Sequence, residues 1–202
     1  MARIFEDVIS TTEIKKSKFI CYLHRTNSEE DARDFIKYVR KKHPQATHAC
    51  TAMVIGNIVR SNDDGEPSGT AGHPMLDVLT GNNLEDILAV VVRYFGGIKL
   101  GTGGLVRAYS GSVKDALSQA HLTEMTVFKE YAITFPYDMI GKMDQFFRSR
   151  NIEVVEKEYD ESVTYYYLVT DDITEALKEI SNGQIEPLYI EDIEKEQVIE
   201  KI

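Results

Sequence analysis

The chain has 202 residues, 43% of them hydrophobic and 28% charged, which is ordinary for a globular protein and leaves room for one large or two small domains. No apolar run approaches the roughly 20 residues of a membrane-spanning helix, and the N-terminal stretch has acids where a signal peptide needs an apolar centre. We therefore expect a cytoplasmic protein without a membrane partner, in which Cys21 and Cys50 stay reduced and buried.

The net charge of −10 is unevenly distributed along the chain. Residues 1–130 hold 16 Lys and Arg against 16 Asp and Glu, so they are neutral, and residues 131–202 carry the whole excess of acid. A phosphate backbone would be repelled by the second part and tolerated by the first. Any nucleic-acid surface is therefore expected in the first part.

The first part, residues 1–128, reads as an irregular mixture of strands and helices. A strand over 13–25 precedes a helix in which Ser28 and Asp31 form a capping box, and a hairpin turn is expected at Gly56. Pro74 lies near the first turn of a second helix. The almost continuously apolar run 86–95 predicts a strand covered on both faces, and a glycine-rich bend and a third helix follow it.

The second part, residues 131–202, has the order strand, helix, strand, strand, helix, strand, which is the ferredoxin-like βαββαβ pattern. It contains no His or Cys, and its tyrosine run 165–167 is typical strand material. We interpret it as a binding or packing module rather than a catalytic one. The predicted fold class is therefore α+β with two domains.

The glycine-rich bend is the first candidate site, with five glycines in the nine residues 96–104. A buried strand, a glycine turn and a helix N-terminus together favour anions, because the first helical amides have no partner within the helix. The glycines could instead serve only to pack the helix tightly on the sheet. The bend is not a Walker A loop, since no GK[ST] follows it. The candidate phosphate- or nucleic-acid-binding residues are Arg93, Tyr94, Gly96, Gly97, Lys99, Gly101, Thr102, Gly103, Gly104 and Arg107.

The loop before the second helix is the second candidate site. Its acids Asp63, Asp64 and Glu66 are of the type that binds Mg²⁺, and Ser68 and Thr70 complete a possible ligand loop. A solvated turn that caps its own backbone has the same composition, and we favour that interpretation.

His48 and Cys50 lie two residues apart on a predicted strand and therefore share a face. With His73 they offer three soft ligands for zinc, and alone they form a possible nucleophile pair. Both uses lack further members, namely a fourth ligand or an oxyanion hole. A core role for Cys50 and a local hydrogen bond for His48 are therefore expected.

The segments DDGEPSGTAGHPML and VVVRYFGGIKLGTGGLVRAY, with EIKKSKFI and ATHACTA upstream, resemble the IMPACT/YigZ family over residues 13–117. The resemblance implies a first domain with the fold of ribosomal protein S5 domain 2, a sheet with helices on one face. It implies a second domain similar to the last domain of the translocation elongation factor. Eukaryotic relatives are linked to control of translation initiation through a regulator of a stress kinase, but they carry a different accessory domain. For the bacterial branch the resemblance supplies no established reaction.

These observations lead to one main hypothesis and two alternatives. The main hypothesis is a non-enzymatic, translation-associated protein that binds RNA or a ribosomal component through the first domain, with Lys15, Lys16 and Lys18 adding positive charge. The first alternative is an enzyme or binder for a phosphorylated small molecule or nucleotide, with Mg²⁺ held by the acidic loop. The second is a protein–protein adaptor. No other cofactor is expected, and the sequence favours binding over catalysis.

Overall fold

The computed structural model describes residues 1–199 and divides the chain into two units. Unit 1 comprises Met1–Glu124 together with residues 197–199, and unit 2 comprises Met125–Glu196. Both units mix helices with antiparallel strands, which confirms the predicted α+β class.

Unit 1 contains most of the secondary structure. Its elements are Ala2–Ile4 (β1), Val8–Ile14 (β2), Ser17–Arg25 (β3), Glu29–Lys42 (α1), His48–Ile55 (β4), Ile58–Asn62 (β5), Gly72–Gly81 (α2), Ile87–Tyr94 (β6) and Thr102–Leu117 (α3). The main sheet has the order β2-β3-β6-β4-β5, so β6 lies at its centre.

Strand β6 has a packed layer on each side, as its continuous apolar sequence predicts. Ala89 and Val91 face a core that includes residues of α2 and α3, whereas Val90 and Val92 face a second core that includes Ala32 of α1. The family resemblance implies that all helices lie on one face of the sheet. This is wrong for α1, which lies on the opposite face from α2 and α3. The predicted start of α1 is confirmed, because Ser28 is its N-cap and accepts the Asp31 amide at 3.2 Å.

The prediction of one strand over 13–25 is also wrong, because this segment contains the end of β2 and the whole of β3. Lys15 and Lys16 have φ of 48° and 65° and form the turn that joins β2 to β3. Lysine is uncommon at positive φ, and the turn contains no glycine or asparagine. The sequence therefore gives no signal for a turn at this position. The antiparallel register confirms the hairpin, since Ile14 pairs with Ser17.

Unit 2 follows the predicted βαββαβ order. Its elements are Leu122–Phe135 (β7, which begins in unit 1), Ile140–Ser149 (α4), Glu153–Tyr159 (β8), Val163–Val169 (β9), Thr174–Ser181 (α5) and Leu188–Ile199 (β10, which ends in unit 1). Strand β7 starts eight residues before the predicted strand at 130, and β10 continues six residues beyond 193. The strand order β10-β7-β9-β8 of unit 2 is that of a ferredoxin-like domain, and β1 pairs with the first residues of β7, which lie in unit 1.

Candidate functional site

A buried ion pair lies beneath the glycine-rich bend. Glu66 Oε1 accepts hydrogen bonds from Arg93 Nη1 at 2.6 Å and from the Tyr109 hydroxyl at 2.8 Å. The side chains of Arg93 and Glu66 are only 6% and 3% exposed. Arg93, a candidate for contact with phosphate, is thus neutralised by Glu66, a candidate from the acidic loop. The sequence shows no sign of this pairing, because 27 residues separate the two positions.

The other two acids of the loop support the backbone. Asp63 accepts the amides of Ala71 and Gly72 through Oδ1, at 3.0 and 2.7 Å, and that of Gly69 through Oδ2 at 2.8 Å. Partial burial opposes ionisation of Asp63, but these amides outweigh it and lower the pKa of the carboxyl. Asp63 thereby satisfies the start of α2, whose N-cap Ala71 has no side chain for that purpose.

Asp64 holds a different part of the backbone. It accepts the Ala49 amide at 2.7 Å through Oδ2 and pairs with Arg40 at 2.6 Å through Oδ1. Ser68 is exposed, and the buried Thr70 donates to the Pro67 carbonyl at 2.6 Å. The acidic side chains of this loop are thus engaged with separate partners, and no metal-binding group of three or more His, Cys, Asp or Glu occurs among residues 1–199.

The His48 and Cys50 pair serves this same loop. His48 Nδ1 lies 2.8 Å from the Asp64 carbonyl, which can only accept, so Nδ1 carries the proton and Nε2 faces Glu66 Oε2 at 3.8 Å. Cys50 donates its thiol to the Asp63 carbonyl at 2.9 Å, and burial raises its pKa to about 12. A neutral, buried thiol is a poor nucleophile. The expected core role of Cys50 is confirmed, and both cysteines are free.

The glycines of the bend have three kinds of surroundings. A Cβ at Gly96 would overlap the Lys16 backbone, and a Cβ at Gly104 would lie 3.0 Å from Leu100 Cβ, so these two allow tight packing. Gly97 and Gly101 have φ of 84° and 75° with open space beside them. Gly103 has a helical backbone and meets only the Arg107 guanidinium, at 3.7 Å. Packing therefore accounts for Gly96 and Gly104 but not for Gly103.

The contact at Gly96 brings basic residues together. It seats the Lys15-Lys16 turn against the bend, and the Gly96 amide donates to Ser17 Oγ at 3.1 Å. Lys99 lies in the bend itself, and the Arg107 side chain reaches back along the first turn of α3. All of these cations are exposed, and none forms an ion pair with a carboxylate in the described part of the chain.

Helix α3 begins here with an open N-terminus. Its N-cap is Gly101, which has no side chain, and the first amide bonded within the helix is that of Leu105, to the Gly101 carbonyl at 2.9 Å. Thr102 and Gly103 are exposed. Unpartnered amides and the positive end of the helix dipole therefore face solvent beside Lys99.

Tyr94 lies on the other side of the sheet from Arg93, as neighbours on a strand must. Its hydroxyl bonds His43 Nδ1 at 2.8 Å, and its ring packs on the core beneath α1. Phe95, which the sequence reasoning missed, is 48% exposed on the side of Arg93, whose guanidinium carbon lies 5.5 Å from its ring centroid. The period-two alternation from Arg93 was the signal that could have identified it.

A cavity of about 480 Å³ opens between the bend and the acidic loop. Its apolar wall is made by Pro67, Phe95, Leu100 and Leu105, and its polar lining by Thr47, His48, Glu66, Arg93, Lys99, Gly101 and Thr102. Of these, Thr47, His48, Pro67, Phe95, Leu100 and Leu105 were not among the predicted site residues.

Comparison with known families places this site in a recognised domain. The model of the Impact N-terminal domain matches residues 15–117, and that of a domain of unknown function, DUF1949, matches residues 133–184. The chain belongs to the IMPACT family. The match to the first model includes the whole cavity and both candidate loops.

Two curated bacterial members of the IMPACT family are similar over most of their length. IMPACT family member YvyE of Bacillus subtilis is 43% identical over 85% of this chain and 82% of its own, and YigZ of Escherichia coli is 39% identical over 89% and 93%. A solved structure described as a hypothetical protein is 37% identical, covers 94% of this chain and 97% of its own, and has a TM-score of 0.60. Within residues 1–199, helices long and apolar enough to cross a bilayer are absent.

Proposed function

We propose that this IMPACT family member is a non-enzymatic, translation-associated regulator that binds RNA, free or within a ribosomal component, at the basic end of unit 1. The observation that carries the proposal is the packing of the Lys15-Lys16 turn against Gly96. It gathers Lys15, Lys16, Lys99 and Arg107 beside the open N-terminus of α3. Lys18 follows on β3 and is exposed.

The charges of this end suit a polyanion. Surface cations that lack a protein partner are free to replace the counterions of phosphates, which is the main source of affinity for nucleic acid. Backbone amides at a helix N-terminus add phosphate contacts that do not depend on sequence. Membership of the IMPACT family supports the translational setting, because the family resemblance links eukaryotic members to translation initiation.

The Mg²⁺-dependent version of the alternative receives little support from the acidic loop. Asp63 holds backbone amides, Asp64 pairs with Arg40 and Glu66 pairs with Arg93. The cavity between the bend and the acidic loop, in contrast, favours a small ligand without a metal.

The proposal is tested by RNA binding of the whole protein. Fluorescence anisotropy with a 20-nucleotide single-stranded RNA between 50 and 250 mM KCl would compare wild type with Lys99→Glu/Arg107→Glu. We expect the variant to bind roughly 10- to 100-fold more weakly at low salt and to lose about two units of the salt slope. Lys114→Glu is the matched control for Lys99→Glu alone, because both reverse one charge and Lys114 is an exposed cation in the last turn of α3. Equal losses in control and test variants, or no RNA binding by wild type, would reject the proposal.

A further inference from the structure

The cavity between the bend and the acidic loop has three chemically distinct parts. Its side is apolar and is formed by Pro67, Phe95, Leu100 and Leu105. Its buried end is polar and contains Glu66 and Arg93, and its mouth carries the exposed, positively charged Lys99. At about 480 Å³ it falls in the size range of small-molecule sites. Each part restricts the ligands that fit.

The buried end contains hydrogen-bonding groups with spare capacity. Arg93 Nε is buried and has no hydrogen-bond partner among the described residues. Glu66 uses Oε1 for Arg93 and Tyr109, whereas its Oε2 lies 3.8 Å from His48 Nε2, which is too distant for a hydrogen bond. Buried donors and acceptors are nearly always satisfied, so this end suits a ligand that carries both. A purely aliphatic acid would leave them unpaired.

The apolar side suits a flat ring. Phe95 exposes 48% of its surface, and Leu100 and Leu105 lie with it in the cavity wall. Aromatic side chains stack on heterocyclic bases, which also carry ring donors and acceptors on their edges. The side and the buried end therefore fit the same kind of molecule.

The mouth suits a phosphate. Lys99 and Thr102 lie at the rim, where α3 begins with exposed amides and no capping side chain. A phosphate group at this position would accept from those amides and pair with Lys99.

We infer that this cavity binds one nucleoside monophosphate, with the base against the exposed part of Phe95, its edge toward the Arg93–Glu66 pair, and the phosphate at the N-terminus of α3. The monophosphate is either a free nucleotide or the phosphorylated end of an RNA strand. The inference goes beyond the proposed function, because the cavity fits a mononucleotide whether or not the basic surface holds RNA.

The first test is calorimetric titration of the whole protein with AMP, GMP, CMP and UMP, with the matching nucleosides and with inorganic phosphate. We expect at least one nucleotide to bind ten times more tightly than its nucleoside and than phosphate, since both parts of the site contribute. If no nucleotide binds at millimolar concentration, or if inorganic phosphate binds as tightly, the inference is wrong.

Two variants separate the base from the phosphate. Phe95→Ala is expected to weaken binding of both nucleotide and nucleoside by about 5- to 150-fold, the range of one lost stacking contact. Lys99→Gln is expected to weaken the nucleotide and leave the nucleoside unchanged. Tyr38→Ala and Lys114→Gln are the controls, because Tyr38 is 54% exposed on α1 and Lys114 is exposed on α3. Equal effects of test and control variants would overturn the assignment.

Competition with RNA identifies the source of the nucleotide. If a 12-nucleotide RNA with a 5′-phosphate displaces the bound nucleotide and its 5′-hydroxyl form does not, the site takes a strand end. If neither displaces it, the site takes the free nucleotide, and both results support the cavity assignment. RNA binding that depends on Lys99 and Arg107 without any mononucleotide binding would reject this inference and leave the proposed function intact. Mononucleotide binding without RNA binding would do the reverse.

Discussion

The two units differ in where they place their charged side chains. Unit 1 buries an ion pair, Arg93 with Glu66, and leaves Lys15, Lys16, Lys99 and Arg107 at one end without a carboxylate partner among residues 1–199. Unit 2 packs an apolar and aromatic core around Phe147, Tyr165 and Tyr167, and its comparable pair, Lys157 with Asp144, is about one-third exposed. Burying charge is costly and needs a reason other than stability. We therefore expect the binding site in unit 1, whereas the charges of unit 2 lie at its surface around an apolar core.

The largest expected effect comes from breaking each ion pair in turn. Arg93→Met leaves Glu66 charged, buried and uncompensated, so we expect unit 1 to lose about 3–5 kcal/mol of stability. Lys157→Met leaves Asp144 in contact with water and should cost at most about 1 kcal/mol. Hydrogen exchange resolved by peptide measures each unit separately, which matters because the chain has no Trp to serve as a local probe.

The double variant Arg93→Met/Glu66→Gln provides the control for this comparison. Because it removes both charges, it should recover part of the loss caused by Arg93→Met alone. If Arg93→Met and Lys157→Met cost the same, the contrast in burial between the units does not govern their stability.

The next effect concerns helix starts. Asp63 accepts three amides at the start of α2, whereas Asp172 accepts one amide, that of Thr174 at 2.8 Å, beside α5. Asp63→Ala should lower the free energy of unfolding of unit 1 by about 2 kcal/mol, because it leaves the buried amides of Ala71 and Gly72 without a hydrogen-bond acceptor. Asp172→Ala, at an exposed site, should have a clearly smaller effect on unit 2.

The pH dependence of Asp63 has a definite sign. Its pKa is lowered in the folded state, so its contribution is complete above the unfolded value of about 3.9 and is lost as pH falls through the folded value. The stability difference between wild type and Asp63→Ala should therefore be constant near neutral pH and shrink below about pH 4. A difference that grows on acidification would contradict the assignment of Asp63 as an ionised cap.

A smaller effect separates packing from binding at glycine. Gly103 in α3 and Gly141 in α4 each occupy the second position of a helix, and a Cβ at either would meet no close backbone. Alanine should stabilise each helix by up to about 1 kcal/mol. Only Gly103→Ala should weaken binding of RNA and mononucleotide, because its methyl would stand where a phosphate approaches the amides. If Gly141→Ala weakens binding equally, close approach is not the role of Gly103.

Much of the fold was predictable because its signals are local. The Ser28 cap, the turn at Gly56 and the apolar run of β6 each depend on neighbouring residues. The turn at Lys15-Lys16 was missed because its residues are unusual at positive φ. The candidate loops were identified by composition, but the Arg93–Glu66 contact was not, since it depends on how two loops meet in space.

The smallest expected effect tests whether the acids of unit 2 oppose RNA binding by unit 1. Truncation is unsuitable, because residues 197–199 belong to unit 1 and Ile199 packs against its core. Glu156→Gln/Glu191→Gln/Glu194→Gln instead removes three exposed charges from strands of unit 2. We expect RNA affinity to rise roughly two- to fivefold at 20 mM salt and to be unchanged near 300 mM, where the Debye length is only about 6 Å. An unchanged affinity at low salt would mean that the acidic unit does not screen the basic surface, whereas a gain that persists at high salt would indicate direct contact of these positions with RNA.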